Sequence, residues 1–237
     1  MIKDRKVNIR ESIENVHERI AQAAKDAGKK PEDITLIAIT KTHPVTIIEE
    51  ALTCGIEHIG ESKVQEAEQK IPQIEKSYKT FHFVGHLQSN KIKKLLPLNP
   101  SLIHSIDKYS TARKLNDYLK KKDARQDILV QINSSGESSK YGITPAETLE
   151  FVQKVSNLNQ IRILGLMTMA PFTDDEEKVR ASFRLTYKLF NQLASEDIPN
   201  VEMRYLSMGM TNDFEIAIQE GANMVRIGSA IFGKRQR

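Results

Sequence analysis

Lys41 is the side chain in this sequence best placed to do chemistry. It follows the short apolar run Ile34-Thr35-Leu36-Ile37-Ala38-Ile39 and sits in Thr40-Lys41-Thr42-His43-Pro44, where a strand should end. A lysine held at the end of a buried strand loses part of its hydration. That lowers its pKa and brings the neutral, nucleophilic amine within reach, so it can form a Schiff base with a carbonyl. From these residues alone, a solvated lysine at a strand-to-helix turn is the better account, and the rest of the chain has to decide.

Arg226 is the second informative residue. Alternation along Met224-Val225-Arg226-Ile227 can turn its side chain inward, and a buried guanidinium needs a partner. That partner is either an inward carboxylate such as Asp107 or Glu61, in a structural ion pair, or a ring nitrogen or anion of a bound ligand. Two nearby loops suit an anion. Leu206-Ser207-Met208-Gly209-Met210-Thr211-Asn212-Asp213 brings together a hydroxyl, a glycine and a helix start. Val225-Arg226-Ile227-Gly228-Ser229 offers glycine and serine amides at the start of a short helix, whose unpaired N–H groups and dipole favour negative charge. Turn and capping chemistry explains either loop singly, whereas the two together favour a phosphate.

The elements that must position these residues follow from hydrophobic patterning. Short apolar runs alternate with amphipathic segments from end to end, the pattern of βαβ units around a parallel sheet. Candidate strands begin near Ile34, Ile56, Phe81, Leu102, Ile128, Ile161, Glu202 and Met224, and seven of them precede a helical pattern. Eight such units in 237 residues predict a (β/α)8 TIM-type barrel, with a doubly wound open sheet as the alternative. After the eighth run, Ser229-Ala230-Ile231-Phe232-Gly233 leads directly into the basic tail, so a full last helix is missing. An extra N-terminal helix, expected from Val7 to Ala27 and stopped by Gly28, can cover the barrel there. No linker or low-complexity tract interrupts the chain, so 1–237 is expected to form a single domain.

Composition narrows the function classes. Hydrophobic residues make up 39% and charged residues 28%, with no apolar window of membrane-spanning length and no leader-like start. A cytoplasmic protein is expected, and the lone Cys54 fits a reducing compartment as a small buried hydrophobe. The net charge of +4 is mildly basic. Its lysine runs at 91–94 and 120–122 lack interleaved aromatics, which argues against nucleic acid as a partner. Gly228 to Lys234 imitates a P-loop, but Arg235 stands where Ser or Thr is required. The six histidines show no metal spacing, and His82 and His86 are expected to be packed or hydrogen-bonded.

Barrels of this kind carry their active sites at the C-terminal strand ends, often with a phosphate held after strands seven and eight. The first, seventh and eighth strands are neighbours once the barrel closes. Lys41, a phosphate cradle and an inward arginine then suggest pyridoxal phosphate, with an aldehyde for the lysine, a phosphate for the loops and a pyridine nitrogen for Arg226.

These residues lie in ordered motifs: Ala38-Ile39-Thr40-Lys41-Thr42-His43-Pro44, Gly60-Glu61-Ser62-Lys63-Val64-Gln65-Glu66, and His82-Phe83-Val84-Gly85-His86-Leu87-Gln88-Ser89-Asn90-Lys91. Gly165-Leu166-Met167-Thr168-Met169-Ala170-Pro171, Leu206 to Thr211 and Val225 to Gly233 continue them. Over nearly its whole length the chain resembles the pyridoxal-phosphate homeostasis proteins (the YggS/PROSC family), related in fold to the N-terminal barrel of alanine racemase. The resemblance implies that Lys41 holds the cofactor as a Schiff base and that Arg226 faces the pyridine nitrogen. It also implies that Ser207, Thr211, Gly228 and Ser229 gather round the phosphate. Ser62 stands where the family usually has asparagine, which puts a polar contact near the ring in question. Phe81 replaces a common tryptophan, which should affect packing.

What the family does implies a carrier in cofactor homeostasis, expected as a monomer that serves pyridoxal-phosphate-dependent apo-enzymes. The alternative is an amino-acid racemase. Racemisation needs a base on each face of the substrate α-carbon, and Lys41 serves one face only. Racemases of the related fold bring the second base, a tyrosine, from an added β domain, and here only a barrel tyrosine such as Tyr141 or Tyr205 could supply it.

Overall fold

The computed structural model describes residues 7–137 and 140–233. The strands are β1 (Thr35–Ile39), β2 (His58–Glu61), β3 (Thr80–Phe83), β4 (Leu102–Ile106), β5 (Gln126–Ile132), β6 (Ile161–Thr168), β7 (Val201–Ser207) and β8 (Met224–Ile227). Each begins within two residues of its expected start. They pair in parallel in chain order. β8 then returns to β1, with registers from Thr35↔Met224 to Ala38↔Ile227, and this closes the ring into a (β/α)8 barrel.

The helices are α1 (Ile9–Asp26), α2 (Val45–Thr53), α3 (Val64–Lys70), α4 (Ile92–Leu95), α5 (Tyr109–Lys120), α6 (Thr148–Ser156), α7 (Glu176–Ala194), α8 (Phe214–Gln219) and α9 (Ser229–Phe232). In α1 the apolar residues Ile9, Ile13, Val16, Ile20 and Ala23 recur at helical spacing and are all buried. The Asn8 side chain accepts from the Glu11 N–H, so the helix starts slightly inside the expected bounds. Gly28, at φ +67°, stops it. α1 lies on α8, α9 and α2, covering the seam where α9 is too short to do so. Among the described residues no helix is long and apolar enough to cross a membrane.

Two buried layers result. Between strands and helices runs an apolar sleeve that includes Leu36, Ala38, Ile59, Phe81, Phe83, Ile103, Phe183 and Val225, with the half-buried Cys54 against it. Inside the ring sits a smaller apolar group of Ile37, Ile39, Leu102, Leu129, Leu164, Met167 and Met224. Gly60 makes room for it, since a Cβ there would lie 2.8 Å from Ile39 Cδ1 and 2.9 Å from Ile37 Cγ2.

Candidate functional site

The turn that carries Lys41 is fixed from several sides. Thr40 is buried, and its N–H donates to the Gly60 carbonyl at 3.0 Å. The Thr40 hydroxyl donates to Glu61 Oε1 at 2.7 Å. Thr42 adopts φ +68°, a strained value for a β-branched residue, and its N–H donates to Glu66 Oε2 at 2.7 Å. Lys70 Nζ ties these together, donating to the Thr40 carbonyl (3.0 Å), Glu61 Oε1 (3.0 Å) and Glu66 Oε2 (2.9 Å). The His43 ring packs on Phe232 of α9 with centroids 4.8 Å apart. Lys41 is half-buried in this turn.

Facing it are the loops after β7 and β8. Gly209 turns the chain sharply at φ +93°, where a Cβ would meet Ala217 Cβ at 2.6 Å and Phe214 Cα at 2.9 Å. The Thr211 hydroxyl then reaches across to accept from the Ala230 N–H at 3.3 Å, which joins the two loops. Gly228 lies beside the end of β1: a Cβ on it would sit 3.5 Å from the Ile39 carbonyl. Lys41, Thr211, Gly228 and Ser229 therefore share one mouth of the barrel. Asp213 accepts from the Met210 N–H at 2.6 Å, and burial raises its carboxyl pKa, with Arg226 among the groups opposing that shift.

Arg226 is buried on β8, below Gly228. Neither expected carboxylate pairs with it. Glu61 faces outward to Lys70 of α3, and Asp107 lies 3.7 Å from His86 Nδ1. Arg226 Nη1 instead donates to Ser207 Oγ at 2.7 Å and Nη2 to the Thr168 carbonyl at 2.8 Å. Burial lowers the guanidinium pKa to about 10, partly opposed by Asp213, so Arg226 stays charged at neutral pH. Ser207 is fully buried beneath the mouth and lies 3.0 Å from His104 Nδ1. His104 Nε2 lies 3.0 Å from His82 Nδ1, and His82 Nε2 lies 2.6 Å from Thr80 Oγ1, which in turn lies 2.6 Å from His58 Nδ1.

Sequence reasoning missed His104 and Thr168. The alternation of His104 with Leu102 on β4 was a signal that it points inward. His82 is hydrogen-bonded as expected, while His86 stacks on Tyr141 at 3.8 Å. Tyr141 is 53% exposed, whereas Tyr205 lines a cavity of about 210 Å³ with Thr35, His58, Thr80 and Arg204, at the opposite, N-terminal mouth. Tyr205 thus borders the opening away from Lys41. Among the described residues no cluster suits a metal ion.

The donors at the upper mouth fit a small anionic aldehyde with an acceptor ring nitrogen. They comprise the Lys41 amine, the Thr211 and Ser229 hydroxyls, the glycine-serine turn at 228–229 and a charged guanidinium below them. Glu61 Oε2 is a buried oxygen without a hydrogen-bond partner among the described residues, and burial raises its pKa.

Comparison with known proteins bears on this geometry. The family model for "Alanine racemase, N-terminal domain" matches residues 12–236. A pyridoxal phosphate homeostasis protein of Aquifex aeolicus is 37% identical over 97% of this chain and 100% of its own length. One from Escherichia coli is 38% identical over 96% and 97%. Among solved structures, PipY of Synechococcus elongatus with PLP bound is 31% identical with a TM-score of 0.77, covering 92% of this chain and 100% of that one. An alanine racemase of Corynebacterium glutamicum shares the fold alone, at 14% identity and a TM-score of 0.68. The likeness covers 94% of this chain but only 62% of the racemase.

Proposed function

Because this chain belongs to the pyridoxal phosphate homeostasis protein family, within the alanine racemase N-terminal barrels, we propose that it binds pyridoxal 5'-phosphate reversibly at the mouth that carries Lys41. The observation that carries this reading is the meeting of three strand ends. β1 brings Lys41, β7 leads to Thr211, and β8 brings Arg226, Gly228 and Ser229.

Lys41, on the turn fixed by the Thr40 and Thr42 contacts, would hold the cofactor's aldehyde through its amine. Thr211, Gly228 and Ser229 would hold the phosphate. Arg226, charged and donor-only, would face the pyridine nitrogen and disfavour its protonation. When bound, the cofactor supplies an electron sink, which an unprotonated ring nitrogen weakens. Ser207, expected beside the phosphate, also accepts from Arg226 and so orients it.

Non-catalytic carriage in cofactor homeostasis, with delivery to apo-enzymes in the cytoplasm, is the role that suits this site. The racemase shares only its barrel with this chain. Tyr205 lies at the wrong mouth to act as a second base, and Tyr141 is stacked against His86. The test is a visible spectrum of the purified protein with pyridoxal phosphate, followed by borohydride reduction and peptide mapping. A coloured complex with the reduced adduct on Lys41, lost in Lys41→Ala, is the expected result. A colourless protein overturns the cofactor reading, and alanine racemisation with ordinary turnover that disappears in Lys41→Ala overturns the carrier reading.

A further inference from the structure

The cofactor reading does not account for the hydrogen-bonded track below Arg226. It runs Arg226–Ser207–His104–His82–Thr80–His58, from one mouth of the barrel to the other, with every link at 3.0 Å or less. His82, His104, Ser207 and Arg226 are all buried. Hydroxyls and imidazoles can donate or accept, so such a track could in principle point either way. One end removes that freedom, because a guanidinium has donors only.

Arg226 Nη1 donates to Ser207 Oγ, which leaves the Ser207 hydroxyl hydrogen in need of an acceptor inside a fully buried site. The polar atom in reach is His104 Nδ1, which must then be bare. His104 accordingly carries its proton on Nε2 and donates to His82 Nδ1. His82 carries its proton on Nε2 and donates to Thr80 Oγ1. The Thr80 hydroxyl donates to His58 Nδ1. His58, half-buried on the cavity wall, ends the track with its Nε2–H. Each ring has one proton and each hydroxyl is used twice.

Both inner rings must be neutral for this arrangement. Burial, helped by the neighbouring His58, lowers the His82 pKa to about 3. Burial, then His82 and Arg226, lowers that of His104 well below its ordinary value.

We propose that His104 is a positioning residue for Arg226. His82, Thr80 and His58 hold it in the one tautomer that lets Ser207 receive the guanidinium, so the N-terminal mouth helps to set the geometry under the cofactor ring. The link to the ring rests on the cofactor reading above, whereas the tautomers themselves do not. If Ser207 must be oriented by a bare imidazole nitrogen, then an acceptor at that position is what matters, not the volume of the ring. Asparagine supplies such an acceptor, because its Oδ1 stands where His104 Nδ1 does; leucine has similar bulk and no acceptor.

The experiment has two arms on the full chain. In the first, long-range 1H–15N spectra of the labelled protein without cofactor at neutral pH report the protonated nitrogen of each ring. Neutral Nε2–H forms of His82 and His104 are expected, and a charged ring or an Nδ1–H form at either position overturns the relay. In the second, pyridoxal phosphate is titrated into wild type, His104→Leu and His104→Asn. Loss of an orienting bond to a charged group should weaken binding about tenfold in His104→Leu and alter the circular dichroism of the bound chromophore, with His104→Asn recovering most of the affinity. Equal affinities for the two variants overturn the positioning role. If His104→Leu does not fold, the tautomer arm still decides. A wild type that binds no cofactor overturns the cofactor reading and leaves that arm standing.

Discussion

The sleeve outside the ring and the space within it are lined by the same eight strands, yet they hold different chemistry. Outward-facing Leu36, Ala38, Phe81, Phe83, Ile103 and Val225 meet the helices in a continuous apolar layer. Inside, an apolar group around Ile37, Leu129, Leu164 and Met224 shares the lumen with the polar track from His58 to Arg226. The sleeve tolerates local error, because dispersion and burial act over many small contacts. The track does not, because a buried donor left without an acceptor costs its full desolvation. Stability is therefore concentrated outside the ring and specificity within it.

The sharpest way to separate the two is a cavity in the sleeve. Phe183 on α7 is fully buried there, so Phe183→Ala should lower unfolding stability by about 3–5 kcal/mol while the folded fraction keeps its cofactor affinity. Denaturant titration and spectrophotometric titration together check this; an equal loss in both would erase the distinction. The converse is Arg226→Met, whose hydrogen-bond partners Ser207 and Thr168 are neutral, while the nearby buried Asp213 loses an opposing charge. Stability should fall by about 1–3 kcal/mol, while cofactor affinity falls about a hundredfold, a larger loss in binding than in folding.

Acid probes the track directly. The His82 pKa is about 3 in the folded chain against an ordinary 6.5, so between those values the unfolded chain binds the extra proton. Stability contributed by this ring is thus full above about 6.5 and falls as pH drops, by up to ~1.4 kcal/mol per pH unit. His104 acts in the same direction. Chemical denaturation at a series of pH values should show this slope, and His82→Gln should flatten it. The smallest effect belongs to neither layer. Arg184 pairs with Glu177 and Glu220 on the surface, where solvent screens the pairs, and Arg184→Ala should leave both the denaturation midpoint and cofactor binding almost unchanged.

The same contrast explains what the sequence disclosed. The sleeve wrote itself into the chain as apolar runs of strand length, so eight strand starts and the closing helix α1 were legible. Lys41 was legible because it ends such a run, and Arg226 because alternation turns it inward. The partners of Arg226 were not. Asp107 and Glu61 looked suitable by charge, but whether a side chain on one strand meets another depends on inter-strand register and on which face it takes. Glu61 faces outward to Lys70, and Arg226 instead reaches the hydroxyl of Ser207 and the carbonyl of Thr168. His82 and His104 are aligned by the pairing of β3 with β4, a register that single-strand patterns do not carry.

Closure of the ring by β1 and β8 also sets an order of events during synthesis. Lys41 is made long before Arg226, so a nascent chain carries the amine for a stretch of elongation without the guanidinium and the loops after β7 and β8. Contacts of such long sequence separation form late in folding. Cofactor capture at the proposed site would thus mark a closed ring, and bound cofactor would hold β1 and β8 together, adding its binding free energy to the closed ring alone.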